Sequence, residues 1–392
     1  MALSRLPLGY CTNVHPGRTV AEVEAGLDRY AVPVRDRVGH PLAAGLWLAR
    51  PVVDELFATP DGVRRFADGL AARGLTCHTL NAFPYGDFHA ARVKENVYRP
   101  DWAQHERLAY TTGCAAVLAA LLPDGADGSI STLPLGFKGF AHPADFLDAA
   151  ARRLIECAVY LGRLRRDTGR VVRLAIEPEP FCLLETTAEA VAFFERVWHL
   201  AGASEEAVRT HLGVCYDVCH QAVEFEDAGE AVQELDRAGV RINKVQISCA
   251  VQLDRPHDNP AGLVALRRYV EPRYLHQTFA RRPDGTVARV VDLSDEVIAV
   301  PPADFAGAEC WRVHFHVPVD ADRLGPLGTT RPAVADALAA VARLAYAPHL
   351  EVETYTWEVM PGAAAPDLVD GLARELEATH RLVAAAGALA GP

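Results

Sequence analysis

The chain has 392 residues, half of them hydrophobic and 23% charged, which supplies material for a large buried core and is not typical of a disordered protein. Lys and Arg total 39 against 51 Asp and Glu, and the resulting net charge of −12 disfavours nucleic acid as a partner. The nine cysteines are dispersed without a Cys-x-x-Cys pair, which predicts reduced thiols. No secretory signal pattern and no uncharged apolar stretch of about 18 residues occurs, so we expect a cytoplasmic protein that does not insert into a membrane.

Short β-rich segments alternate with longer helical segments along the chain, as in β-α units that build a parallel sheet. The predicted strands are residues 8–13, 45–49, 76–82, 128–133, 171–177, 212–217, 242–248 and 349–355. Predicted helices with apolar residues three and four apart include 19–32, 61–73, 102–122, 144–166, 188–200 and 226–238. The sequence therefore predicts an α/β protein, a (β/α)₈ TIM barrel that forms one domain over residues 1–392.

The gap between the seventh and eighth predicted strands is too long for a single helix. Residues 250–309 are predicted to be an insertion over the barrel mouth, a common site for added loops in barrel enzymes. Segments 275–281 and 286–291 flank a Pro-Asp-Gly turn as a hairpin would, and 312–317 is a further strand. Residues 330–346 are predicted to form the last helix before the closing strand.

Polar side chains stand at the ends of the last four predicted strands, which converge on one mouth of a barrel. They are Glu177, Glu179, Asp217, His220, Gln246 and Glu353. Burying Glu177, Asp217 and Glu353 together without a cation would be prohibitive. We therefore predict a divalent metal bound by Glu177, Asp217, Gln246 and Glu353.

A second segment competes to be strand seven. His314 and His316 lie two residues apart on a predicted strand, so both side chains point to the same face. The segment 242–248 is preferred because it directly follows the sixth helix, which favours Gln246 as the ligand. His316 remains the alternative ligand, or a general acid or base.

Further polar residues just past strands one and three are predicted to contact a substrate together with Glu179 and His314. They are Asn13, His15, Asn81, Tyr85 and His89. Lys94, Arg99 and Lys138 could each neutralise an anionic substrate, although a solvated loop charge fits any one of them better.

These strand ends resemble the xylose-isomerase-like TIM-barrel superfamily, whose metal ligands are Glu, Asp, His or Gln, and Glu on strands five to eight. The spacing Asp217-x-x-His220 is similar to that superfamily's Asp-x-x-His element, in which the Asp binds metal and the His faces substrate. Gln246 in place of His resembles the sugar-acid and cyclitol dehydratases of the superfamily more than its keto-sugar epimerases.

Five segments also resemble one branch, the metabolite-traffic barrel proteins of bacterial Ebo gene clusters. These segments are residues 9–17, 80–86, 97–102, 314–318 and 350–357. The resemblance implies a small-molecule metabolite as ligand, a role in maturing or exporting a secondary metabolite, and a membrane export or biosynthetic partner. It implies no particular reaction.

An oxygen-rich ligand set favours Mn²⁺ or Mg²⁺, with Zn²⁺ or Co²⁺ favoured if a histidine binds. Such a metal chelates neighbouring oxygens of a polyol or hydroxy-ketone and stabilises the enediolate that forms when a base removes the adjacent proton. We therefore expect an isomerase, epimerase or dehydratase that acts on a polyhydroxylated or keto metabolite. Glu177 or Glu353 would carry the proton, His220 would orient a substrate oxygen, and His316 would be a spare acid or base.

Two other functions remain open. A non-catalytic metabolite carrier would use the same pocket, since binding and turnover share their contacts. A metal-dependent phosphodiesterase or apurinic-site nuclease would need a histidine-rich metal cluster and a basic surface, and neither is evident in the sequence.

Overall fold

The computed structural model describes residues 3–362 and 368–389, and its central feature is a closed barrel of eight parallel strands. The barrel strands are β1 (Gly9–Cys11), β2 (Ala43–Trp47), β3 (Thr79–Asn81), β4 (Gly128–Thr132), β5 (Val172–Ile176), β6 (Leu212–Asp217), β7 (Ile242–Ile247) and β14 (His349–Val352). Consecutive strands pair in parallel, and β14 closes the ring between β7 and β1. The predicted TIM barrel and its eight strands are confirmed.

Helices follow or connect the barrel strands. They are α1 (Val20–Gly26), α2 (Val32–Val38), α3 (Arg50–Ala58), α4 (Gly62–Ala72), α5 (His105–Leu121), α6 (Phe146–Thr168), α7 (Thr187–Ala201), α8 (Glu205–His211), α9 (Val218–Val223), α10 (Ala228–Arg237), α11 (Pro260–Leu266), α12 (Asp295–Ala299), α13 (Arg331–Val341) and α14 (Leu368–Leu389). Among these, α11, α12 and α13 lie in the segment between β7 and β14. A capping box formed by Thr186 and Glu189 begins α7. Among the described residues, no helix is both long and apolar enough to cross a membrane.

The insertion between β7 and β14 forms a six-stranded antiparallel sheet of its own. Its strands are β8 (Cys249–Asp254), β9 (Thr278–Arg281), β10 (Val287–Val290), β11 (Cys310–Val317), β12 (Arg323–Leu324) and β13 (Leu327–Thr329), in the order β10-β9-β11-β8-β13-β12. The predicted hairpin is present as β9 and β10. The sheet continues past residue 309, the predicted end of the insertion, because β11 pairs with β8 and β9.

This topology separates the two segments that compete to be strand seven. Ile242–Ile247 pairs in parallel with β6 and β14 inside the barrel, whereas Cys310–Val317 lies in the antiparallel sheet. Strand seven is therefore the segment that carries Gln246. His316 nevertheless reaches the barrel mouth from the inserted sheet, as described below.

Alternate side chains of a strand point into the barrel, and two of them form a buried ion pair. Lys244 Nζ lies 2.6 Å from Glu351 Oε1, and neither side chain is more than 1% exposed. Lys244 Nζ also donates to Ser131 Oγ at 3.3 Å, and Thr79 Oγ1 donates to Glu351 Oε2. A side chain at Gly45 would collide with Glu351 Oε2, so glycine makes room for the pair.

Candidate metal centre

Three carboxylates meet at the C-terminal mouth of the barrel. Glu177 follows β5, Asp217 ends β6 and Glu353 follows β14, and one oxygen of each lies within 4.8 Å of the others. All three residues are buried. The structure thus brings together the three acidic residues that were predicted to bind a metal.

Hydrogen bonds hold Asp217 in place by one of its two oxygens. Asp217 Oδ1 accepts from the backbone N–H of His220 at 3.0 Å, which caps α9, and from Ser248 Oγ at 2.8 Å. The Asp-x-x-His spacing is one helical turn, so His220 Nε2 stands 4.0 Å from Asp217 Oδ2. Asp217 Oδ2 itself is buried without a hydrogen-bond partner in the described part of the chain.

Glu353 is fixed by two amides that were predicted to contact substrate. Asn13 Nδ2 donates to Glu353 Oε1 at 2.8 Å, and Asn81 Nδ2 donates to the same oxygen at 2.9 Å. Glu177 has no comparable clamp, because its Oε2 is buried and lacks a hydrogen-bond partner within residues 3–362 and 368–389. Glu177 is therefore the least constrained of the three carboxylates.

Burial sets the protonation of this group. It raises the pKa of Glu177 and of Glu353 well above the ordinary carboxyl value, and the negative charge of neighbouring carboxylates raises both pKa values further. Burial also acts to raise the pKa of Asp217, but His220, His316 and the two hydrogen bonds to Oδ1 hold it below its ordinary value. A cation or protons must therefore balance the cluster.

Two neutral histidines face the carboxylates from β11. His316 Nδ1 donates to the backbone oxygen of Glu353 at 2.8 Å, and His314 Nδ1 donates to Gln277 Oε1 at 2.7 Å. Because both Nδ1 atoms carry hydrogen, each Nε2 presents a lone pair, and neither Nε2 has a partner among the described residues. Burial lowers the pKa of His316 to about 4 and that of His314 well below its ordinary value.

The histidines form a cluster that was not evident in the sequence. His220 packs edge-on against His314 and His316, with ring centroids 4.5 and 5.5 Å apart. Ligand atoms of Asp217, His220 and His316 lie within 4.8 Å of one another, as do those of Glu179, His220 and His314. The insertion creates this cluster, because β11 places its histidines beside the end of β6.

Gln246 lies inside the barrel and is fully buried. Its Oε1 accepts from Cys215 Sγ at 3.1 Å, while its Nε2 has no hydrogen-bond partner in the portion that the structure describes. A 180° rotation of the amide would exchange the two atoms and leave the oxygen open, as a ligand role requires. The role of Gln246 in metal binding stays a prediction.

The donor set fits a divalent cation. Glu177 Oε2, Asp217 Oδ2 and His316 Nε2 are buried polar atoms that lack partners within the described ranges, and such atoms are costly unless something binds them. Carboxylate oxygens with one imidazole nitrogen suit Mn²⁺, Zn²⁺ or Co²⁺, and the oxygens alone suit Mg²⁺.

A cavity opens directly above the carboxylates and encloses about 490 Å³, part of it open to solvent. Asp217, Gln246 and His316 lie outside its lining. Its lining residues are Asn13, Asn81, Phe83, Pro84, Phe88, Val93, Lys94, Val97, Tyr98, Glu177, Glu179, His220, Tyr274, Leu275, His314, Glu353 and Tyr355.

Three predicted substrate contacts lie outside this cavity because their side chains are used elsewhere. The His15 ring packs 4.5 Å from that of Tyr30, and the Tyr85 ring packs edge-on against Tyr110. His89 Nε2 lies 2.8 Å from the backbone oxygen of Asn13 and supports that loop. The predicted contacts Asn13, Asn81, Glu179 and His314 do line the cavity.

The three candidate cations are also engaged. Lys94 lines the cavity but pairs with Asp292 at 2.7 Å, and Lys138 pairs with Glu185 at 2.6 Å. The Arg99 guanidinium lies over the Phe140 ring, 4.2 Å from its centroid. These contacts agree with structural roles.

Sequence reasoning missed two residues that organise the histidines. Tyr98 OH donates to Glu179 Oε1 at 2.8 Å and accepts from Gln277 Nε2 at 3.0 Å. Gln277 in turn orients His314. Both come from segments without a strand-end signal, so only the folded contacts identify them.

Comparisons with known proteins agree with this architecture. A crystal structure of a xylose isomerase-like TIM barrel protein from Mycobacterium smegmatis in complex with magnesium matches with a TM-score of 0.53 and 13% identity, covering 99% of this chain and 98% of that chain. The structure of the IOLI protein with a zinc atom matches with a TM-score of 0.50 and 11% identity, covering 97% of this chain and 99% of that chain. At these identities the likeness shows the fold alone.

No curated protein matches the sequence. The profile of one protein family, described as xylose isomerase-like TIM barrel, does match, over residues 48–263. This match covers more than half of the chain, including the ends of β5 and β6. The chain belongs to the xylose isomerase-like TIM barrel family.

Proposed function

We propose that the protein is a divalent-metal-dependent isomerase, epimerase or dehydratase that acts on a small hydroxylated or keto metabolite. The observation that carries this proposal is the buried group of Glu177, Asp217 and Glu353, which has open ligand atoms at the floor of a cavity. The magnesium and the zinc bound in the two similar structures support a divalent metal of this kind.

Glu177, Asp217 and Glu353 would hold the metal, with His316 or Gln246 as a further ligand. When bound, the metal supplies Lewis-acid polarisation of neighbouring substrate oxygens. The Asn13 and Asn81 amides orient Glu353 by its Oε1, so its other oxygen is directed to the site. Ser248 does the same for Asp217.

Glu177 is the best placed proton carrier. It lines the cavity, one of its oxygens is open among the described residues, and burial raises its pKa above the ordinary carboxyl value. Glu177 would take the proton from the carbon beside a carbonyl and return it to the neighbouring carbon in an isomerisation. His314 Nε2 would accept or return a proton on the side of the substrate that faces the histidines, and His220 would orient a substrate oxygen.

A non-catalytic carrier is the second candidate, because a cavity with a polar floor also suits retention of a ligand. This role would agree with the resemblance to metabolite-traffic proteins of Ebo clusters, and with a membrane export or biosynthetic partner. A nuclease is disfavoured although the histidines do cluster, because the Lys94 charge in the cavity is already paired with Asp292.

Two measurements test the proposal. Metal analysis should find about one divalent ion per chain, and chelator should lower the melting temperature. The Mn²⁺-loaded protein in D₂O should then exchange the C–H protons beside the carbonyl of hydroxyacetone, as followed by NMR, and Glu177→Gln should abolish that exchange. Metal binding without exchange would favour the carrier. A melting curve unchanged by chelator, with no bound metal, would contradict the site.

A further inference from the structure

The cavity has two chemically different parts. Its floor is polar and consists of Glu177, Glu179, Glu353, His220, His314 and the two asparagines that hold Glu353. Its walls are mostly apolar and come from the segment between β3 and α5, the insertion before β9 and the segment after β14. The wall residues are Phe83, Phe88, Val93, Val97, Leu275 and Tyr355.

Two of the tyrosines that line the cavity use their hydroxyls for hydrogen bonds within the protein. Tyr98 OH donates to Glu179 Oε1 at 2.8 Å, and Tyr274 OH donates to the backbone oxygen of Phe88 at 3.2 Å. A ligand that lies between the Tyr98 and Tyr274 rings would find both hydroxyls engaged, and Tyr355 is the lining tyrosine whose hydroxyl stays open within the described residues. Pockets that bind sugars by their hydroxyls need such groups at the walls.

The single cationic side chain among the lining residues of the described chain is Lys94, and its donors are used. Lys94 Nζ donates to the backbone oxygens of Tyr274 at 2.6 Å and Glu271 at 3.1 Å, and to Asp292 Oδ2 at 2.7 Å. An ammonium group has three hydrogens, so this set is complete. Lys94 therefore anchors the loop after β3 to the insertion.

We infer that the cavity takes a neutral amphiphilic ligand, with two neighbouring oxygens at one end and an apolar ring or chain at the other. This inference rests on the proposed function, since the oxygens would meet the metal. An anionic group on the body of the ligand would lie away from the metal, where Lys94 is already paired, and a polyol body would bury unpaired hydroxyls against the apolar walls. The apolar body matches the walls of Val93, Val97 and Leu275.

A set of hydroxy-ketone probes tests this ligand class. Mn²⁺ binding is titrated first, and the loaded protein is then titrated by calorimetry with hydroxyacetone, 1-hydroxy-3-phenylpropan-2-one, D-xylulose and dihydroxyacetone phosphate. The phenyl probe should bind at least about tenfold more tightly than the other three, because only its body buries apolar surface. Tighter binding of xylulose or of the phosphate to the Mn²⁺-loaded protein would overturn the inference and leave the metal chemistry intact.

The same titration without Mn²⁺ separates the inference from the proposed function. Equal binding of the phenyl probe with and without Mn²⁺ would support the apolar walls and contradict the metal contact. Failure of the phenyl probe to bind in either state would overturn the inference.

A near-isosteric variant tests the walls themselves. Val97→Thr keeps the shape of the side chain and replaces one methyl group by a hydroxyl. It should weaken binding of the phenyl probe about threefold to tenfold and leave binding of hydroxyacetone unchanged. Val264→Thr is the matched control, because Val264 is 68% exposed and lies outside the cavity lining. An equal effect of the two variants on the phenyl probe would contradict the wall assignment.

Discussion

Two groups of charged side chains lie inside the same barrel, and both are almost completely buried. The deeper group is Lys244 with Glu351, 2.6 Å apart. The upper group is Glu177, Asp217 and Glu353 at the mouth. β14 leads from one group to the other, since Glu351 and Glu353 are two residues apart.

The two groups differ in whether other side chains of the protein balance their charge. Opposite charges pair in the deep group, and Ser131 and Thr79 add hydrogen bonds to it. The mouth group places like charges together, and two of its oxygens have no partner in the described part of the structure. The two groups are equally buried, but the deep group is complete as a structural pair, whereas the mouth group is a candidate binding site.

The largest expected effect is on stability, when the deep pair is broken. Lys244→Met leaves the Glu351 carboxylate buried without its partner, so the free energy of unfolding in urea should fall by about 3–5 kcal/mol. Arg209→Ala is the control, because it breaks an exposed pair with Glu205 and should cost at most about 1 kcal/mol. Equal losses in the two variants would contradict the structural role of Lys244.

The mouth group should respond in the opposite way. Glu353→Gln removes a like charge from the group, so the metal-free variant should unfold at the same or a higher urea concentration. Glu353→Gln and Asp217→Asn should each lower Mn²⁺ affinity at least about 100-fold. Glu179→Gln is the matched control, because Glu179 is also buried but Tyr98 already occupies its Oε1, and its effect should be milder. Full Mn²⁺ binding by both ligand variants would overturn the site.

The sequence could predict the mouth group because parallel strands bring their ends together. Glu177, Asp217 and Glu353 each end a recognisable strand, so neither exact boundaries nor long-range contacts were needed. The deep pair had a signal that was overlooked. Lys244 shares a strand face with Gln246, and Glu351 shares one with Glu353, which places both charges inside the barrel.

The pattern of neighbouring residues in the sequence does not predict the histidine cluster or the apolar walls of the cavity, because both depend on contacts between distant segments. His314 and His316 reach the mouth because β11 pairs with β8 and β9, an antiparallel arrangement that a β-α rhythm does not predict. The wall residue Val97 lies in a short 3-10 helix, Lys94–Tyr98, and Leu275 lies in the segment before β9, and neither has the periodicity that predicts an element. His15 was expected at the site because it lies just past strand one, and the local pattern does not show that its ring packs against Tyr30.

A pH series sharpens the comparison further. Burial raises the pKa of Glu177 and Glu353. Protons therefore compete with a cation for these carboxylates at pH values above about 4.3, the ordinary glutamate pKa. Mn²⁺ affinity should therefore rise with pH, by up to about tenfold per unit for each proton displaced, in titrations between about pH 6 and 8. A pH-independent affinity at constant ionic strength would contradict these pKa directions.

Over the same pH range the deep pair should contribute constant stability. Burial acts against the charge of Lys244, but Glu351 raises its pKa above the ordinary lysine value. Stabilisation from a raised lysine pKa is fully present below the unfolded value of about 10.4 and is lost only as the pH rises through the folded value. Urea midpoints of the wild type and of the double variant Lys244→Met/Glu351→Leu, which removes both charges of the pair, should therefore keep the same separation from about pH 6 to 8.

The smallest expected effects decide which neutral group completes the metal site. An imidazole ligand favours Zn²⁺ over Mn²⁺, whereas an amide oxygen does not. If His316 Nε2 binds the metal, His316→Ala should lower Zn²⁺ affinity about tenfold and Mn²⁺ affinity less, while Gln246→Ala changes neither. If Gln246 is the ligand, Gln246→Ala should lower both affinities alike.

His257→Ala is the control, because that ring is 53% exposed and outside the cavity lining. The open Nε2 of His316 and the thiol contact at Gln246 Oε1 favour the first outcome, and equal losses in the two variants would mean that both groups bind.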